Sequence, residues 1–143
     1  MEQLERWPTN RPEELSKTVR VFIVEDSAIV RQRLIESLTT LSYVKFVGHA
    51  SCVREALEWI PLAGPQVVLL DLGLPDGSGL QVLKAMQSMP APPAAVIFTN
   101  YATASLRERC LAAGARAFLD KSHEFHRIPE VLAELADHPA LPA

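Results

Sequence analysis

Cysteine is scarce in this chain, positive charge is not in excess, and no long apolar run occurs; each shortage removes a class of protein. The two cysteines, Cys52 and Cys110, are too few and too far apart for a disulfide framework or a zinc site, so they read as buried or half-buried thiols in a reducing compartment. With 14 Lys and Arg against 17 Asp and Glu, the formal charge is -3, which argues against binding nucleic acid through a broad basic face. No apolar stretch approaches the roughly 18 residues needed to cross a bilayer. The opening segment MEQLERWPTNRPEELSKT carries charge throughout and lacks the apolar centre of a signal peptide, so a soluble, cytoplasmic protein is expected. Repeats and low-complexity tracts are missing too. What remains, 143 residues that are 48% hydrophobic and 22% charged, suits one ordinary core.

Residues 1–18 place Pro8 and Pro12 among polar side chains and read as an extension outside the core with at most a short helical turn. The domain is expected over 19–136 and a tail over 137–143. VRVFIVEDS gives a first strand ending in acids, after which Ser27 can cap a helix with Val30, Leu34, Leu38 and Leu41 at helical spacing. YVKFVGHA is a second strand. Ser51 is then expected to cap a helix bearing Val53, Ala56, Leu57 and Ile60 and stopped by Pro61. VVLL is a third strand; a helix starts at Ser78 and carries Val82, Leu83 and Met86 as far as the breaker MPAPP. AAVIFT is a fourth strand, SLRERCLAAGA a helix with Gly114 at its end, and RAFLD a fifth strand. The last helix lines up Ile128, Val131, Leu132 and Leu135, with Pro129 in its first turn. Strands and helices alternating at this tempo predict an α/β protein: a parallel sheet covered on both faces, which is why three strands are almost wholly apolar.

In such sheets ligands gather beyond the carboxyl ends of the strands. Those ends carry Glu25 and Asp26, Asp71, Thr99 and Lys121. Three carboxylates on one edge repel one another unless a cation shares them, and a hard divalent ion, Mg²⁺ (or Mn²⁺), suits oxygen ligands of this kind. The lysine and the hydroxyl are not needed for chelation; they suit a phosphoryl group with several anionic oxygens. Singly, each residue has an ordinary explanation: acids complementing a helix dipole, a loop cap, a satisfied hydroxyl, a solvated ammonium. Their joint arrival on one edge does not. HEFH lacks the spacing of a helical zinc site, and GLPDGSG lacks the Lys-Ser/Thr ending of a P-loop and reads as a flexible loop before a helix.

In VFIVEDS, LLDLGLPDGSG, VIFTN and AFLDKS the chain resembles the receiver domain of two-component response regulators, over residues 19–136. The resemblance implies a flavodoxin-like, doubly wound, five-stranded parallel sheet of order 2-1-3-4-5. It implies Asp71 as phosphoacceptor from a histidine kinase or phosphotransfer protein, Asp26 as a direct Mg²⁺ ligand, Glu25 acting through water, and the Gly73 carbonyl as a further oxygen. Lys121 would pair with the phosphoryl oxygens, Thr99 would move to meet one, and Phe118 would turn inward as the aromatic switch. A downstream protein would read residues 103–136, with phosphorylation-dependent dimerisation as a further expectation and neither nucleic acid nor membrane as direct partner. The receiver would promote its own phosphorylation and dephosphorylation rather than act as an enzyme on a separate substrate. Asn100 stands where many receivers carry Ala or Gly, and it and Tyr101, one place further on, are expected to screen the phosphoryl group and slow its hydrolysis. Ser122 follows Lys121 where many receivers carry proline. The closing DHPALPA is too short for a helix-turn-helix, so the signal is expected to leave by protein contact or onward phosphotransfer. The alternative, a Mg²⁺-dependent aspartyl-phosphate phosphatase, needs an acid two residues after the nucleophile, where Gly73 stands. A flavin carrier would have to seat a phosphate against Glu25 and Asp26.

Overall fold

The computed structural model describes residues 18–137. Apart from Thr18 and Asp137, the expected extension and tail lie outside the described residues. Five strands, β1 (Val19–Val24), β2 (Val44–Ala50), β3 (Val67–Leu70), β4 (Ala94–Thr99) and β5 (Ala117–Asp120), form one parallel sheet in the order β2-β1-β3-β4-β5. The helices are α1 (Ala28–Thr39), α2 (Val53–Ala63), α3 (Gly79–Gln87), α4 (Ala104–Ala112) and α5 (Ile128–Asp137), the last entered through a 3₁₀ turn over Phe125–Arg127. The expected fold class and strand order both hold.

Side chains alternate across a strand, so a sheet with two covered faces needs apolar residues at every position. One face collects Phe22, Val24, Val68, Leu70, Ala95 and Ile97 beneath α2, α3 and α4. The other collects Val21, Ile23, Val67, Leu69, Val96 and Phe98 beneath α1 and α5. β3 and β4 are buried along their whole length, which fixes their carboxyl ends.

Ser27 caps α1 by accepting the Val30 amide at 3.3 Å, and Ser78 caps α3 in a reciprocal box with Gln81. The expected Ser51 cap of α2 is not what forms. The cap residue is Cys52, whose sulfur lies 3.5 Å from the Glu55 amide, while the Glu55 carboxylate accepts from the Ser51 amide at 2.8 Å and its hydroxyl at 2.9 Å. A carboxylate is the stronger acceptor, so it claims Ser51 as a donor and moves the helix start by one residue. Nor does Pro61 stop α2, which runs on to Ala63; a proline this close to the end removes a single ladder bond, to a carbonyl on the half-exposed Leu57. The stop is Gly64, at φ 63°, with its amide donating to the Ile60 carbonyl at 3.2 Å. Likewise the glycine-rich segment after Asp71 is not a flexible loop: Gly73–Leu74 pairs antiparallel with Gly77–Ser78, and the Gly79 amide donates to the Leu72 carbonyl at 2.9 Å.

Candidate phosphoryl-transfer site

Backbone hydrogen bonds run one residue past the formal ends of the strands and deliver the polar residues to a single edge. The Glu25 amide donates to the Ala50 carbonyl at 2.9 Å, the Asp71 amide to Val24 at 3.1 Å, and the Lys121 amide to Thr99 at 2.9 Å. Glu25, Asp71 and Lys121 therefore each spring from a peptide still held in the ladder.

The Lys121 ammonium donates to Glu25 Oε1 at 2.7 Å and to Asp71 Oδ2 at 2.8 Å. The second oxygen of Asp71 accepts the Leu72 amide at 2.7 Å and the Gly73 amide at 3.4 Å; that of Glu25 accepts the Ser27 amide at 3.0 Å. Glu25 and Asp71 are buried, at 1% and 6% exposure, whereas Asp26 is exposed. Carboxylate oxygens of Glu25, Asp26 and Asp71 lie within 4.8 Å of one another. Burial pushes the Glu25 pKa upward, and the Lys121 and Ser27 hydrogen bonds only partly reverse it. For Lys121, burial disfavours the charged form, but the hydrogen bonds and charges of Asp71 and Glu25 outweigh it and hold its pKa above the ordinary lysine value. Three acids thus face one ammonium, and the excess negative charge with free oxygen lone pairs fits a small divalent cation.

Thr99 is fully buried, and its hydroxyl accepts the Tyr101 amide at 3.1 Å. Asn100 is exposed; its side-chain oxygen accepts from the Ser122 hydroxyl at 3.3 Å, tying the β4–α4 loop to the loop after β5. Tyr101 is 60% exposed, yet its ring lies over Gly73, with Cε2 only 2.8 Å from where a Cβ at 73 would stand. Phe118 is buried at 5% exposure within the core beneath α2, α3 and α4. Its carbonyl accepts from Arg107 at 3.2 Å.

Two groups that shape the site escaped the reading of the sequence. Gly79 opens α3 directly against the Asp71 carbonyl oxygen, where a Cβ would overlap it and stand 3.0 Å from Leu72 Cα. Asp76, at the tip of the short ladder, accepts the Val53 amide at 2.7 Å and the Arg54 amide at 3.0 Å. The PDG turn carrying Asp76 was the available signal, but its partner on α2 was not.

The family model described as the response regulator receiver domain matches residues 21–133. The chain belongs to this family. The receiver is 33% identical over 103 residues to the DNA-binding transcriptional activator DevR/DosR of Mycobacterium tuberculosis, covering 72% of this chain and 48% of the relative. It is 36% identical over 118 residues to protein-glutamate methylesterase/protein-glutamine glutaminase 1 of Carboxydothermus hydrogenoformans, covering 80% and 34%. The receiver therefore spans half or less of these curated relatives. Among solved structures, the response regulator domain of Thermotoga maritima CheB superposes with a TM-score of 0.74 at 26% identity, covering 86% of this receiver and 96% of that domain. No described helix is long and apolar enough to cross a membrane.

Proposed function

We propose that this receiver accepts a phosphoryl group on Asp71 from the phosphohistidine of a histidine kinase or phosphotransfer protein in the cytoplasm. The observation that carries the reading is the Asp71 carboxylate, buried at the end of the sheet's middle strand, 2.8 Å from the Lys121 ammonium and inside a cluster of three acids. One Asp71 oxygen forms the new O–P bond as the P–N bond breaks, the bonding pair returns to the imidazole, and the imidazole takes up a proton. Positioning and charge neutralisation supply the rate.

Asp26, Glu25 and Asp71 are the side chains that would hold Mg²⁺ (or Mn²⁺), with Gly73 offering its carbonyl. Bound there, the ion neutralises charge on the phosphoryl oxygens. The third Lys121 N–H can turn to a phosphoryl oxygen, and the Thr99 hydroxyl, which accepts from the Tyr101 amide, keeps its own O–H to donate to another. These partners exist only in the phosphorylated state, and that difference biases the β4–α4 loop. The Arg107–Phe118 contact joins α4 to β5, so the change reaches the surface over 103–136, where a downstream protein or a second receiver would bind. Tyr101 over Gly73 and Asn100 on Ser122 screen the site from attacking water.

The test is incubation with Mg²⁺ and acetyl phosphate or beryllofluoride, comparing wild type with Asp71→Asn. A Mg²⁺-dependent change confined to wild type is expected. No change in wild type, or the same change in the variant, would overturn the reading.

A further inference from the structure

Asp76 takes no part in the acid cluster. Its side chain is exposed, and both carboxylate oxygens are committed to α2, Oδ1 to the Val53 amide at 2.7 Å and Oδ2 to the Arg54 amide at 3.0 Å. The Arg54 and Val53 amides hold its pKa below the ordinary aspartate value. The first amides of α2 need such an acceptor from outside, because the helix's own cap offers only sulfur, a weak one.

The same bonds act in the other direction, on the segment that carries Asp76. From its tip, Leu74 pairs with Gly77 and Gly73 with Ser78, and the ladder closes where the Gly79 amide meets the Leu72 carbonyl. At that end the Leu72 and Gly73 amides hold Asp71 Oδ1. Leu74 is buried against the α2–α3 core and gives the segment one apolar anchor, while Asp76 supplies the polar one. A rigid path therefore runs from the α2 N-terminus through Asp76 and the ladder to the two amides that orient the carboxylate of Asp71.

We propose that Asp76 is a positioning residue for phosphoryl transfer, fixing the Asp71 carboxylate and the Gly73 peptide by fastening the intervening ladder to α2. The proposal rests on the reading of Asp71 as phosphoacceptor. With Asp76 released, the ladder tip swings free of α2, the Leu72 and Gly73 amides lose their fixed aim, and Asp71 holds its charge partners in a broader set of orientations.

The experiment uses the full chain as wild type, Asp76→Asn and Asp76→Ala. Mg²⁺ alone is titrated while the Leu72 and Gly73 amide resonances are followed by NMR, and the rate of phosphorylation by acetyl phosphate is then measured at saturating Mg²⁺. Urea unfolding is recorded alongside. Outer groups that orient a metal site typically carry at least tenfold in affinity or activity, so Asp76→Ala should bind Mg²⁺ about tenfold more weakly, with displaced Leu72 and Gly73 resonances before any ion is added. Asp76→Asn keeps one acceptor oxygen and should fall between the two, at about threefold. A lowered unfolding midpoint with wild-type Mg²⁺ affinity and rate would make Asp76 a helix cap alone and overturn the proposal. If Asp76→Ala does not fold, wild-type affinity in Asp76→Asn overturns it equally. A responsive wild type with unaltered variants defeats this inference only, whereas an unresponsive wild type defeats the phosphoacceptor reading and this inference with it.

Discussion

Replacing Lys121 with methionine, which keeps much of the volume and removes the charge, tests the electrostatics of the site without a phosphodonor. In wild type the ammonium is 2.7 Å from Glu25 and 2.8 Å from Asp71, both buried. Without it, two carboxylates share a site with little water. Stripping one partner from a buried ion pair costs about 3–5 kcal/mol. The folded variant has one escape, which is to bind a proton. For a carboxylate with an ordinary pKa near 4.5, taking a proton at pH 7 costs about 3–4 kcal/mol, and at pH 5.5 about 1–2 kcal/mol. That ceiling sets both the size of the effect and its sign. The folded variant holds a proton that the unfolded chain lacks, so its stability must rise as pH falls from 7 toward 4.5. Glu25 is the natural acceptor, since burial already raises its pKa. Urea unfolding in EDTA at both pH values should show a loss relative to wild type of about 3–4 kcal/mol at pH 7, shrinking to about 1–2 kcal/mol at pH 5.5. A loss equal at the two pH values, or larger at the lower one, would refute the reasoning.

Gly79→Ala should destabilise by about 2–3 kcal/mol, because the new Cβ meets backbone at Asp71 and Leu72 that has no room to yield. Gly64→Ala, where φ is 63° but no atom lies within 4 Å, should cost about 1 kcal/mol, and paired urea curves that reverse this order would contradict the packing described for α3. Changing Asn100 and Tyr101 together to alanine should shorten the lifetime of the acyl phosphate, followed by loss of radiolabel from purified phosphoprotein; an unaltered lifetime would remove the screening role given to Tyr101 over Gly73.

Much of this architecture was legible because its signals are local. β3 and β4 are runs of apolar residues that fit only strands buried on both faces, and once these are placed the residue after each must stand on the ligand edge. The same reading of all four strand ends placed Glu25, Asp71 and Lys121, each just past a strand, and Thr99, the last residue of β4, on one edge. The α2 start was not legible, because Ser51, the expected cap, is claimed as a donor by the Glu55 carboxylate, and the first helical amides are met by Asp76 from another segment. The passage of α2 through Pro61 was hidden for a similar reason: what ends the helix is Gly64, whose left-handed backbone closes it three residues later. Tyr101 resting on Gly73 joins loops after different strands, a contact that no local pattern announces. Pattern locates a residue on an edge or a face; it does not say which neighbour from another element will arrive there.

The order of the strands distributes compliance unequally across the ligand edge. β3, which ends at Asp71, is clamped by neighbours on both flanks, and β1 beneath Glu25 is likewise held on both. β5, which delivers Lys121, is a margin strand with a single neighbour. Under the proposed phosphorylation, added charge at Asp71 would act on a stiff support at one end of the ion pair and a softer one at the other, which favours displacement at the margin.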